Sequence, residues 1–259
     1  MSRIHPTAII DPSAALGEAV AIGPYAIVEA EVIIGDHCCV GAHAVIKRYT
    51  HLGSRNQIHE HAVIGGDPQD LSFRSCISHV VVGDDNVIRE GVTLHRATRA
   101  GNATRIGNHN FFMAYAHVAH DCTVGDKIVL ANGAALGGHV SVGDQAFISA
   151  FAAVHQFCRI GRLTMVSGLA GVNLDCLPFI RVTGAPVRAC GLNLVGLKRA
   201  GFAADEIRQL KQAYRLVLCS GGLSLRDALA ELSGSPSASV KEWVHFIEGS
   251  SRGFAHHRP

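Results

Sequence analysis

Aromatic side chains are scarce, at 6% of the chain with a single Trp. So few large rings exclude a thick core built on aromatic packing and leave aliphatic residues to fill a narrow interior. Charge is also low, at 17% of residues with a net charge of +2. That balance offers no broad basic footprint, so nucleic acid is not an expected partner. The 8 Cys contain no CxxC pair and no disulfide-framework spacing. They read as reduced thiols in a cytoplasmic protein. No apolar run is long enough to span a bilayer, and the first residues lead straight into patterned sequence without a secretory leader. No stable membrane insertion is expected.

What the chain has instead is glycine, 28 residues of it, and an aliphatic residue at every sixth position. The series runs from Ile4 through Ile10, Leu16 and onward to Ile64, restarts at Val82, Ile88 and Leu94, and runs again from Ile106 to Val172, with Phe112 its one aromatic member. A period of six matches neither a helix at 3.6 residues nor an alternating strand. It matches a β-solenoid in which each hexad is one short strand plus a corner. Glycine follows many anchors, as at Gly17, Gly35 and Gly53, and is expected there to permit the tight corner. Two polar segments, 65–81 and 97–105, exceed the repeat and are expected to project as loops, where a rigid scaffold tends to carry binding groups.

The pattern ends near Pro178. The stretch 201–222 reads as a helix with Phe202, Ile207, Leu210, Tyr214 and Val217 on one side, stopped by Gly221 and Gly222. Ser224 can cap a second helix, and Val240, Val244 and Ile247 mark a third. The expected organisation is a β-helix over 1–190 and a helical domain over 191–259.

If three hexads make one triangular coil, residues 18 apart stack at roughly 4.8 Å. His120, Gly138 and Gln156 then form one column, Asp121 and His139 the next, and His155 sits beside Gln156. His117 lies one corner away. Most of the 16 His, including His5, His37, His43, His51, His256 and His257, read as solvated. A histidine beside a carboxylate is the arrangement of a general base, and the Gly138 amide one coil away can bind a developing oxyanion. No Ser or Cys shares the patch, which favours direct attack by a substrate hydroxyl or amine. Two competing classes stay open: a zinc site on three histidines, and a carbohydrate-binding solenoid without catalysis.

The segments AHVAHDCTVG (116–125), LGGHVSVGD (136–144), AVHQFCRIG (153–161) and GLNLVGLKRAGF (191–202) closely resemble the UDP-N-acetylglucosamine acyltransferases that begin lipid A synthesis. The resemblance covers nearly the whole chain. It implies a left-handed parallel β-helix with a C-terminal helical domain, against the usual crossover hand, and a homotrimer with sites between subunits. It implies transfer of a 3-hydroxyacyl chain, carried on the phosphopantetheine of acyl carrier protein, to the 3-position of a UDP-sugar, with no other cofactor and no metal. Carried over by motif, His120 is the base, Asp121 its orienting partner and Gly138 the oxyanion donor. His117, His139, His155 and Gln156 contact sugar and acyl chain, Asp70 binds the sugar, and Asn193 and Arg199 bind the nucleotide's phosphates. Gly168 and Gly171 fall at the acyl-chain ruler. Two positions depart from the pattern: Ser72 stands where the family has Lys, and Val195 where it has Glu. Similar replacements occur in a subgroup that acylates a 3-amino sugar nucleotide. The γ-carbonic anhydrases share the hexad but lack the 191–202 segment and the helical tail.

Overall fold

The computed structural model describes residues 3–219 and 223–257. The hexads form a left-handed parallel β-helix of triangular cross-section. Its two- to five-residue strands line up into three sheets, of eleven, nine and eight strands among the described residues. The first sheet starts at Arg3–Ile4, the second at Ile9–Ile10 and the third at Ala15–Leu16. Strands pair in parallel at a step of 18 residues, as in Ala135↔Ala153. The last pair, Ile180–Thr183 with Arg188–Leu192, is antiparallel and closes the first sheet. That strand crosses residue 190, where the helical part was expected to begin.

The anchors point inward and are buried from Ile22 onward. Ile4 is 46% exposed, and Ile10 and Leu16 are half-buried, because no coil lies beneath them. A second interior position, two residues before each anchor, carries mostly small or polar side chains such as Ala26, Ala44, Asn86, Ala134 and Ala152, with valines and Ile128 among them. Cys38, Cys122 and Cys158 occupy this position, and burial pushes the Cys122 thiol up to about 12. They are filler in the aliphatic column rather than chemistry.

The glycines that follow the third-sheet anchors do not make the corners; of the corner positions, Gly91 and Gly133 are glycine. The left-handed backbone falls three residues after the anchor, mostly on non-glycine residues such as Ala19, Glu31, His37, Asp121 and His139, with φ between 53° and 60°. Gly17, Gly35, Gly53, Gly83, Gly107, Gly125, Gly143 and Gly161 instead follow anchors of the third sheet, in one column along one edge. A Cβ on Gly35 would lie 2.6 Å from the carbonyl carbon of Gly53 in the next coil. Glycine stands there because the coils touch.

Both excursions are shorter than the sequence suggests, because their flanks pair as strands. The first occupies 67–78, between Val63–Gly66 and His79–Val82; the second occupies 96–102, between Thr93–His95 and Ala103–Ile106. They lengthen the step to 30 residues at Ile58↔Ile88 and to 24 at Ile88↔Phe112. Both leave from the edge between the second and third sheets.

Among the described residues four α-helices follow: α1 (Leu194–Arg199), α2 (Ala204–Tyr214), α3 (Leu225–Ser233) and α4 (Ala238–Glu248). The helix expected over 201–222 starts later and passes into a π-helical turn at Arg215–Cys219. The wider turn rotates the buried face, so Leu218 is buried and Val217 only half-buried. Gly221 and Gly222 lie outside the described residues. Ser224 caps α3 as expected, accepting from the Asp227 amide. Val240, Val244 and Ile247 are buried on α4 with Trp243, whose indole N–H donates to the Pro178 carbonyl at 2.6 Å. The returning chain end pairs with the solenoid through Asp175 and Gly253, Ala255 and Asp175.

Candidate active site

The site grows from one corner, between the strands His117–Val118 and Thr123–Val124. Asp121 takes the left-handed conformation, with φ 58°, which turns its carboxylate back toward His120. The His120 ring is buried and its Nδ1 lies 3.0 Å from Asp121 Oδ2. That oxygen also accepts from the Thr98 amide at 3.0 Å and the Thr98 hydroxyl at 2.7 Å. Burial raises the Asp121 carboxyl, but the Thr98 and His120 hydrogen bonds outweigh it and hold the group below its ordinary value. An ionised Asp121 fixes the proton of His120 on Nδ1 and leaves Nε2 free to accept one.

Gly138 lies one coil on, against the other side of the ring. A Cβ there would sit 2.4 Å from His120 Cε1 and 2.6 Å from Nε2. The His139 ring meets His120 edge-on at 5.2 Å and stacks flat on Phe157 at 4.6 Å. Its Nε2 is 3.8 Å from Asp121 Oδ2. His117 Nδ1 pairs with the Thr93 hydroxyl at 2.7 Å. Burial, with His95 and His120 nearby, pushes His117 down to about 4, so it is neutral at pH 7. Asp70 reaches the same corner from the first excursion. Its carboxylate accepts the Ser72 amide and hydroxyl, both at 2.8 Å, and those bonds hold it below the usual carboxylate range. Ser72 is thus bonded to Asp70. His155 and Gln156 are exposed, and His155 Nδ1 lies 3.0 Å from the Gln156 carbonyl and 3.3 Å from Arg252 Nη2.

Asn193 and Arg199 lie elsewhere in the chain. Asn193 caps α1, accepting from the Gly196 amide at 3.0 Å and donating to the Leu163 carbonyl at 2.9 Å. With Arg199 it borders a cavity of about 910 Å³, shared with Lys127, Phe147, Met165 and Val195, at the edge between the third and first sheets. Gly168 is on the remaining edge, exposed, and a Cβ there would meet the Ala150 carbonyl oxygen at 3.3 Å and little else. Gly171 is not open, since the Ala185 methyl sits 3.0 Å from where its Cβ would be.

Three residues at the site carry no signal in the hexad. His95 is buried, donates from Nδ1 to the Asp67 carbonyl at 2.6 Å, and meets the His117 ring at 5.1 Å. Thr98 and Arg252 are the others. His120, Asp121 and His139 are close enough together to cage a cation. Asp121 Oδ2, however, already takes three donors, one of them His120 Nδ1. Those atoms are engaged with one another.

The family description "Udp N-acetylglucosamine O-acyltransferase; Domain 2" matches residues 175–255, and the six-repeat bacterial transferase hexapeptide matches 13–48 and 103–138. The acyl-[acyl-carrier-protein]–UDP-N-acetylglucosamine O-acyltransferase of Alkalilimnicola ehrlichii is 48% identical over 98% of this chain and 99% of its own length. This chain belongs to that acyltransferase family. The relative of the same name from Halorhodospira halophila is 46% identical over 98% of this chain and 99% of its own. Among solved structures, LpxA from Acinetobacter baumannii matches with TM-score 0.94 at 35% identity, covering 98% of this chain and 99% of that one. LpxA from Moraxella catarrhalis gives TM-score 0.94 at 40% identity, over 98% and 99%. Membership makes the chain an acyltransferase and sets the hand of its helix. Among the described residues, no helix is long and apolar enough to cross a membrane.

Proposed function

We propose that this acyltransferase moves a 3-hydroxyacyl chain from the thioester of acyl carrier protein to the 3-hydroxyl of UDP-N-acetylglucosamine, the first step of lipid A biosynthesis, in the cytoplasm. The observation that carries the mechanism is the His120–Asp121 pair at 3.0 Å with Gly138 packed against the far side of the ring. His120 Nε2 takes the proton of the sugar hydroxyl as its oxygen attacks the thioester carbonyl. Asp121 orients the ring and stabilises the imidazolium. The Gly138 amide binds the oxyanion. Collapse of the tetrahedral intermediate expels the phosphopantetheine thiolate, which recovers the proton from His120. No metal or further cofactor enters. Asp70, His117, His139, His155 and Gln156 line the sugar and the acyl chain. Asn193 and Arg199 bind the nucleotide's phosphates from a neighbouring copy, which makes the working unit a homotrimer.

His120→Ala tests the reading. Loss of a general base costs roughly 10²–10⁴ in rate, with the fold retained. Turnover within a few-fold of the parent sinks the assignment.

A second reading, transfer to the amine of a 3-amino sugar nucleotide, is favoured by Ser72 and Val195 at two acceptor-recognition positions. Comparing the two sugar nucleotides at equal concentration decides between ester and amide. Gly168 sets the acyl length, because its exposed position leaves the groove open. Each buried CH₂ contributes about 0.8 kcal/mol, so chains longer than ten carbons are preferred. Competition between acyl carrier proteins of different chain length checks this, and an optimum at ten carbons or fewer removes Gly168 from the role.

A further inference from the structure

His120 does not hold the Asp121 carboxylate alone. Thr98 gives the same oxygen two hydrogen bonds, one from its amide at 3.0 Å and one from its hydroxyl at 2.7 Å. Thr98 sits on the second excursion, which is tied to the first. Arg96, 4% exposed, donates to Asp67 at 2.9 Å, to the Ser78 hydroxyl at 3.0 Å and to the Cys76 carbonyl. Its guanidinium also lies 5.1 Å from the Phe73 ring. The Ser78 hydroxyl in turn donates to the carbonyl of Ala97, the residue before Thr98. One buried guanidinium therefore locks both excursions together and fixes where Thr98 falls. On the other side, the Asp121 amide donates to Thr104 Oγ1 at 2.8 Å, and Thr104 is fully buried. Backbone and carboxylate are both clamped.

We propose that Thr98 is a positioning residue for acyl transfer, holding the Asp121 carboxylate so that His120 keeps one orientation and one tautomer, and that the two excursions deliver it there. This rests on His120 being the general base. A carboxylate with a single donor can swing, and a ring bonded to it swings too. Donors converging on one oxygen remove that freedom. The hydroxyl also draws charge from Oδ2, so Asp121 grips the imidazolium proton less tightly than an unshared carboxylate does.

Thr98→Val keeps the branched shape and the amide and removes only the hydroxyl; Thr98→Ser restores it. With 3-hydroxyacyl carrier protein and UDP-N-acetylglucosamine as substrates, Thr98→Val should lower kcat about tenfold, the scale of one hydrogen bond to a charged group. The KM for the sugar nucleotide should not change. The acidic limb of the kcat/KM profile should move to higher pH, because the relieved carboxylate holds the His120 proton more tightly. The other titratable groups facing the pair, Asp70, His95, His117, Cys122 and His139, are the same in both variants. Thr98→Ser should recover both rate and limb. A Thr98→Val enzyme with parental rate and profile overturns the proposal. So does one that loses rate with no shift of the limb and no recovery in Thr98→Ser. His120→Ala assayed in parallel separates the layers: if it is inert while Thr98→Val is parental, only the Thr98 role falls, and if it is active both fall.

Discussion

Gly138 is glycine for the sake of a side chain one coil away. A methyl at this position would overlap the His120 ring, at 2.4 Å from Cε1, and the ring cannot yield without stretching its 3.0 Å bond to Asp121. Gly138→Ala should fold, since nothing there demands a left-handed backbone, but kcat should fall roughly 10²-fold, the cost of a displacement near 1 Å at a reacting group. Steady-state assays beside thermal melts check this; a near-parental kcat means that the ring is free to move. That His120, Asp121, Gly138 and His139 come together was legible from sequence, because the step of 18 runs unbroken from Ile106. His95 and Thr98 were not. The second excursion changes the step to 24 residues, and loop residues have no phase to count. Arg252 meets His155 across 97 residues of chain, a contact that no periodicity encodes.

At the scale of the strand and its corner, the hexad divides its work between two positions that the sequence presents as one. The residue after the third-sheet anchor touches the next coil; the left-handed residue comes two places later. Gly35→Ala should therefore destabilise by about 1–3 kcal/mol through overpacking, since its Cβ would lie 2.6 Å from Gly53. Glu31→Gly, at φ 58°, relieves a strain of about 1–2 kcal/mol, and the freer unfolded chain offsets most of that. Its stability should stay within about 1 kcal/mol of the parent. Denaturant melts of both variants test the division, and the opposite ranking returns the corner role to glycine. The anchors were legible because they repeat at a fixed step everywhere outside the two excursions. The second interior position was not, because it mixes Ala, Val, Cys, Thr and Asn and shows no single residue type. The π-helical turn at Arg215–Cys219 was hidden for a related reason: its sequence, RLVLC, follows α2 with no glycine or proline to mark the change.

The whole molecule is a prism whose three edges carry different groups. His120 and both excursions lie on one edge, Asn193 and Arg199 on another with the 910 Å³ cavity, and Gly168 on the third. A narrow prism cannot bend its own edges together around one sugar nucleotide, so base and phosphate-binding groups can serve one substrate only if adjacent copies face each other edge to edge. If the working unit is the proposed homotrimer, a ring of three such heterologous contacts, each site takes His120 from one subunit and Arg199 from the next. Mixed trimers of His120→Ala and Arg199→Ala should then recover activity that neither variant shows alone. The assay is run at acceptor concentrations low enough to silence Arg199→Ala. With random assortment, roughly a quarter of the sites combine an intact His120 with an intact Arg199. Co-expressed, doubly tagged trimers are all mixed and hold one such site in three, so they should approach about a third of the parental rate per site. If both groups serve from one chain, every subunit of the mixture carries a defect and its rate never exceeds that of the better variant; that result would dismantle the shared site while leaving the His120–Asp121 pair intact.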